Sequence, residues 1–276
     1  MAERHGADER EAELDYDPSR KSLLDPGAAR DFFPNGRPDD EAALGAEMSR
    51  LAYCRDESVV GGVLAGIGYS EFCTFDRGGS QALMAWDGPP AVLAFRGTEA
   101  DDPTDIIDDA LFLPEPWPAG GNVHMGFAGA FERIWPEIEP QLAGAGPILF
   151  TGHSLGAALA TLAASRQPCA GLLTYGSPRV GDRDFGQALA GQRIRRFVNC
   201  CDLVCRVPPE PYRHVGELHY IDRDRRLNVS PDPEAIESEQ WRAHLEYTVL
   251  WAWRWGNLVV RDLADHAPVN YSGALL

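Results

Sequence analysis

Four short apolar runs constrain this chain more than any other feature. They are Ala91–Phe95, Pro147–Phe150 with Thr151, Leu172–Tyr175 and Ile194–Val198. Apart from Thr151 closing the second, Thr174 in the third and Arg195 and Arg196 in the fourth, they are apolar without alternation, which is the pattern of strands buried on both faces of a parallel sheet. Each gives way to small or polar residues: Arg96-Gly97-Thr98, Gly152-His153-Ser154-Leu155-Gly156, Gly176-Ser177-Pro178 and Asn199. Helical segments lie between and around them. AALATLAAS after Gly156 has high helix propensity, and Glu41–Arg55 spaces Leu44, Met48, Leu51 and Ala52 as one helical face. The expectation is an α/β fold with a mostly parallel central sheet flanked by helices. Residues 42–276 show no repeat and no linker, so they read as one domain. Leu113–Asn122 is rich in Pro and Gly and is expected to be a loop. Trp241–Trp255 holds four of the seven tryptophans. It is expected to be part of a helix whose rings mainly pack the core, with one or two at an interface.

Charge separates the ends from the middle. Acids outnumber bases 42 to 25, for a net charge of −17. Residues 1–41 carry 12 acids and 6 bases, and few large apolar side chains. They are expected to be an acidic, partly disordered arm with one docking point around Leu23–Phe33. Such a charge disfavours nucleic acid and anionic lipid surfaces as partners. No basic segment followed by an apolar one reads as a secretory signal, and Val249–Val260 is too short and polar to span a bilayer. A cytoplasmic protein is therefore expected, with secretion by another route left open. Six cysteines match no zinc spacing and no Cys-x-x-Cys, so reduced thiols are expected.

Gly152–Gly156 fits G-x-S-x-G. A serine on a tight strand-to-helix turn needs small neighbours, because the backbones come close there. Its oxygen then stands at a helix N-terminus, where free N–H groups can hold an oxyanion. Roughly 0.1 such pentapeptides are expected by chance in a chain of this composition. The strand-like run before it and the alanine-rich segment after it supply the context that makes Ser154 a candidate nucleophile.

Here the chain resembles the class 3 lipases, the α/β-hydrolases related to fungal triacylglycerol lipases. Six segments carry the likeness in order: Phe95-Arg96-Gly97-Thr98, Val123-His124-x-Gly126-Phe127, Thr151–Gly156, Tyr175–Gly181, Asn199-x-x-Asp202-x-Val204-x-x-Val207-Pro208, and Asp265-His266-x-x-x-x-Tyr271. They span about residues 44–272 of the chain.

A serine nucleophile needs a histidine base and a carboxylate to orient it, in the chain order Ser, acid, His. Asp202, in a loop after the fourth apolar run, is the candidate acid. Asp182 and Asp184 read better as a helix start, and Asp222 as part of a polar hairpin. Among the later histidines, His244 falls in an expected helix. His214 and His219 follow a proline loop, with His219 as the second choice. His266 lies in a loop-like segment matching the family motif and is the candidate base.

The oxyanion donors are expected to be the backbone N–H of Leu155 and, by the resemblance, Thr98. The resemblance also makes Asp109 a support for Thr98. His124 and His153 read as structural supports. In fungal relatives a helical lid precedes the Val-His-x-Gly-Phe segment. Here that interval carries Pro114, Pro116 and Pro118, which prevent a regular helix. Leu111, Phe112, Leu113 and Trp117 either rim an acyl site or pack into the body. The expected function is hydrolysis of carboxylic esters of lipids through an acyl-enzyme, with no metal or other cofactor and only transient contact with a lipid–water interface. A phospholipase A1, a short-chain esterase and an idle hydrolase scaffold are the alternatives.

Overall fold

In the computed structural model, residues 15–88, 90–98 and 112–276 are described. The apolar runs form strands. One sheet contains β1 (Glu71–Arg77), β2 (Ser80–Trp86), β3 (Ala91–Phe95), β6 (Ile148–His153), β7 (Gly171–Tyr175), β8 (Ile194–Asn199), β9 (Glu217–Ile221) and β10 (Leu227–Val229). Their order across the sheet is β1-β2-β3-β6-β7-β8-β9-β10. From β3 to β9 the pairing is parallel, and it turns antiparallel toward both edges. The segment expected as a loop instead contains a ribbon of β4 (Pro114–Pro116) with β5 (Asn122–His124). Prolines are tolerated there because a two-stranded ribbon leaves half of its N–H groups without a ladder partner.

Successive side chains of the central strands enter different cores. Leu93, Phe95, Phe150 and Leu172 meet the helices Met125–Ile138 and Leu155–Arg166. Val92, Ala94, Leu149 and Leu173 meet Leu44, Met48 and Leu51 of the helix Glu41–Leu51. Both faces are covered there, which is why Ala91–Phe95 and Ile148–Phe150 are apolar at every position, while β8, half-buried at Arg195 and Arg196, is not. The parallel strands also place their C-terminal ends along one edge, where ligand sites of open α/β sheets are built.

From Asp15 onward, the segment expected to be an arm with one docking point around Leu23–Phe33 is docked at further points, Tyr16 among them. Tyr16 and Phe33 are buried. Glu47 and Arg50 form a fully buried ion pair at 2.8 Å. Arg50 donates to the carbonyls of Pro26, Arg30 and Asp31, and Glu47 accepts from the Phe33 N–H. A paired, hydrogen-bonded charge satisfies the backbone of an irregular segment that has few apolar side chains to bury.

The tryptophan-rich stretch also departs from expectation. Helix Pro233–Leu250 ends before three of the four rings, and only Trp251 packs into a core. Trp241, Trp253 and Trp255 are 67%, 54% and 104% exposed. Among the described residues, no helix is long and apolar enough to cross a membrane.

Candidate active site

Ser154 follows β6 directly and caps the helix Leu155–Arg166 with φ 57° and ψ −128°. A non-glycine residue held there costs about 1–3 kcal/mol. Packing enforces the turn. A Cβ on Gly152 would lie 2.2 Å from the Gly156 carbonyl oxygen, and one on Gly156 would lie 2.1 Å from that of Phe95. Both glycines are therefore dictated by the close approach of strand and helix rather than by flexibility.

Three distant side chains meet at this turn. His266 Nε2 lies 3.0 Å from Ser154 Oγ. His266 Nδ1 lies 3.0 and 2.9 Å from the two carboxylate oxygens of Asp202. A carboxylate only accepts, so Nδ1 carries the proton and Nε2 is left to accept from the serine hydroxyl. All three residues are buried. Burial pushes the Asp202 carboxyl up, but the facing His266 and the hydrogen bonds from His266 and Tyr271 more than offset it and hold Asp202 below the usual carboxylate range.

Asp202 is heavily tethered. It accepts from the Tyr271 hydroxyl at 2.6 Å and from the Val204 N–H at 2.9 Å. Tyr271 accepts in turn from the Asn199 N–H. Its place in the last family-like segment was the only sequence signal for this tyrosine. Sequence reasoning also missed Tyr53. Its hydroxyl pairs with His153 Nδ1 at 2.8 Å, while His153 Nε2 donates to the His266 carbonyl at 2.7 Å. Burial and the neighbouring His266 push His153 down to about 3, so it stays neutral and this chain of donors keeps its direction. His153 thus grips the backbone of the histidine facing Ser154.

The first N–H groups of a helix have no partner within it, and Leu155 opens the helix that follows Ser154. The Arg96–Thr98 turn follows β3. A Cβ on Gly97 would meet Tyr53, the His153 carbonyl and Ser154, so the turn lies against Ser154. Thr98 is exposed. Asp109 and Leu111 lie outside the described residues. His124 is buried among Phe112, Phe127 and Tyr212, beside the site rather than in the serine–histidine line. Trp117 is buried against Phe131, Leu113 is exposed, and Phe112 is half-buried.

The competing residues serve elsewhere. Asp182 caps the helix Arg183–Ala188. The Asp222 carboxylate accepts from backbone N–H groups in the β9–β10 turn. His214 pairs with the Cys205 carbonyl, His219 with Glu217, and His244 with Asp262. All six cysteines are free, with Cys200 and Cys201 sulfurs 3.6 Å apart.

The family described as lipase (class 3) matches residues 92–212, a stretch that contains all of β3 but Ala91, the Ser154 turn and Asp202 but ends before His266. A secreted mono- and diacylglycerol lipase of Fusarium solani is 36% identical over 118 residues, covering 38% of this chain and 35% of that protein. Another, from Malassezia globosa, is 27% identical over 207 residues, covering 66% of this chain and 68% of that one. The chain thus spans about a third of the first relative's length. Lipase II from Rhizopus niveus superposes with a TM-score of 0.52 at 26% identity, over 65% of this chain and 77% of that one.

Proposed function

The chain belongs to the class 3 lipase family, and on that premise we propose that it is a serine hydrolase cleaving carboxylic esters of lipids, acylglycerols first among them. One observation carries the proposal: Ser154 Oγ, His266 and Asp202 form an unbroken hydrogen-bonded line at the C-terminal edge of the sheet. His266 Nε2 takes the serine proton as Oγ attacks the acyl carbonyl. Asp202 holds the Nδ1–H and stabilises the imidazolium that forms. The Leu155 N–H and Thr98 receive the oxyanion, each donor contributing about 2.7–4 kcal/mol to the barrier. The imidazolium then returns the proton to the leaving alcohol. Water, deprotonated by His266, releases the acid and restores the serine.

Residues 42–276 act as the catalytic domain in this reading. Contact with a lipid–water interface is supported by Trp241, Leu245 and Val249, exposed at four-residue intervals along the helix Pro233–Leu250, and by the exposed Trp253 and Trp255 just beyond it. The free thiols fit a reducing compartment such as the cytoplasm.

Hydrolysis of p-nitrophenyl esters of rising chain length, mono-, di- and triacylglycerols, and phosphatidylcholine tests the proposal. Highest kcat/KM on acylglycerols is expected. A preference for phosphatidylcholine identifies a phospholipase, and one confined to acetyl or butyryl esters identifies a short-chain esterase. Hydrolysis of none of them by folded protein leaves an idle scaffold.

A further inference from the structure

Behind the catalytic dyad lies a second buried carboxylate that the reaction does not use. Asp265 precedes His266 in the chain and is fully buried. Its Oδ2 accepts from the backbone N–H of Cys201 at 2.9 Å and from Arg261 Nε at 2.9 Å. Its Oδ1 accepts from the Tyr16 hydroxyl at 2.9 Å. Cys201 in turn precedes Asp202. One carboxylate therefore ties the residue before the acid to the residue before the base.

We infer that Tyr16, Arg261 and Asp265 form a positioning clamp for the Asp202–His266 pair, and that the segment Tyr16–Ser19 belongs to the active-site architecture. The inference rests on the hydrolase reading above, and it extends the site to Tyr16 and Arg261, which lie outside the six class 3-like segments.

Three features carry it. First, the acid loop needs holding. Cys200 sits at φ 25°, a left-handed conformation for a residue with a side chain. The Cys201 N–H bond to Asp265 and the Gln240 amide bond to the Cys200 carbonyl fix that turn.

Second, Tyr16 is itself fixed from several sides. Its ring packs on Trp251 at 5.4 Å between centroids, with the guanidinium groups of Arg225 and Arg261 5.6 and 5.5 Å from its centre. The adjoining backbone is stitched to the C-terminal region. Asn270 receives the Asp17 N–H and donates to the Asp17 and Ala264 carbonyls. Leu258 N–H donates to the Pro18 carbonyl. Arg225 binds the Asn199 side-chain oxygen and the Asn270 carbonyl.

Third, the charge is matched. The ionisable groups facing Asp265 are Arg261, Arg225, Tyr16, Cys200 and Cys201. The Arg261 guanidinium touches the carboxylate at 2.9 Å, and a guanidinium–carboxylate contact is a strong, charge-assisted hydrogen bond. A rigid acceptor shared by two loops fixes the separation of the groups that follow it in each.

The test compares wild-type chain with Tyr16→Phe and Asp265→Asn. Tyr16→Phe removes one hydroxyl and leaves the ring packing, so it is the variant that should fold. Its kcat per active site, counted by burst titration on p-nitrophenyl butyrate, should fall about threefold to tenfold with KM unchanged. The acid limb of its kcat/KM profile should move to lower pH, because a displaced Asp202 stabilises the imidazolium less. Asp265→Asn, where it folds, should lose about a hundredfold.

A merely structural role would lower the count of active sites without moving the limb. The downfield proton resonance of the His266 Nδ1–H bond to Asp202 gives a readout independent of hydrolysis. It should broaden or shift in Tyr16→Phe. An unchanged resonance, with kcat per site and acid limb as in wild type wherever ester turnover is measurable, overturns the clamp. Failure of wild-type protein to hydrolyse any ester, with the resonance still responding to Tyr16→Phe, would overturn the hydrolase reading and leave the clamp standing.

Discussion

The two halves of the candidate site are held by different means. The Ser154 turn is local. Five consecutive residues, two of them glycines with no room for a Cβ, force the serine into its conformation between β6 and the following helix. The Asp202–His266 half is assembled from afar. It is fixed by side chains of Tyr53, Tyr271, Tyr16 and Asp265, and by the His153 grip on the His266 carbonyl. The difference teaches that backbone sterics can set a nucleophile from a pentapeptide. Aligning an acid and a base on separate loops needs hydrogen bonds that cross the whole chain.

Substitutions can break either half separately. Asp202→Asn, which removes the charge but keeps the shape, should lower kcat about 10⁴-fold on a soluble ester while the thermal midpoint stays within a few degrees. A loss below tenfold would mean that the distant half is not needed. Gly156→Ala should act on the local half through stability, costing about 3 kcal/mol or more, because its Cβ would enter the Phe95 carbonyl. Urea unfolding measures this, and an unchanged midpoint would show that the elbow is not sterically locked. Tyr271→Phe removes one of the hydrogen bonds to Asp202 and should lower kcat about tenfold with little change in KM.

Acidity should separate the halves by the least amount. His153 and His214 are held down to about 3, in both cases chiefly by burial, against about 6.5 in an unfolded chain. Below about pH 6.5 the unfolded state binds protons that the folded state refuses, so stability falls with pH toward about pH 3. The slope is about 1.4 kcal/mol per pH unit for each histidine at full effect. Asp202 acts in the same direction over a lower pH window, because its folded-state pKa is also lowered. Its contribution is present at neutral pH and is lost only on acidification below about pH 4. Urea midpoints at pH 7 and pH 5 check this: His153→Gln should flatten the dependence, and an unchanged slope would contradict the assignment.

The same contrast explains what was legible in the sequence. The parallel sheet showed in Ala91–Phe95, Leu172–Tyr175 and their companions, because burial on both faces leaves an apolar run. Ser154 showed because a steric requirement writes itself as glycines at fixed spacing. Asp202 and His266 stood out from their competitors only through chain order and family-like segments, since no local pattern records a contact across 64 residues. The docked segment from Tyr16 to Phe33 read as an arm. Its anchors are hydrogen bonds and one buried ion pair, Glu47 with Arg50, and these leave no apolar periodicity. The exposed Trp253 and Trp255 were misjudged for a related reason: the helix ends at Leu250, and beyond it helical spacing no longer assigns faces.

The central claim is that Ser154 is a nucleophile activated by His266. Labelling folded protein with a fluorophosphonate probe, followed by mass spectrometry of the modified peptide, tests it most directly. The account predicts one label, on Ser154, lost in Ser154→Ala and strongly slowed in His266→Ala. Equal labelling of Ser154→Ala, or no labelling of folded wild-type protein, would contradict it.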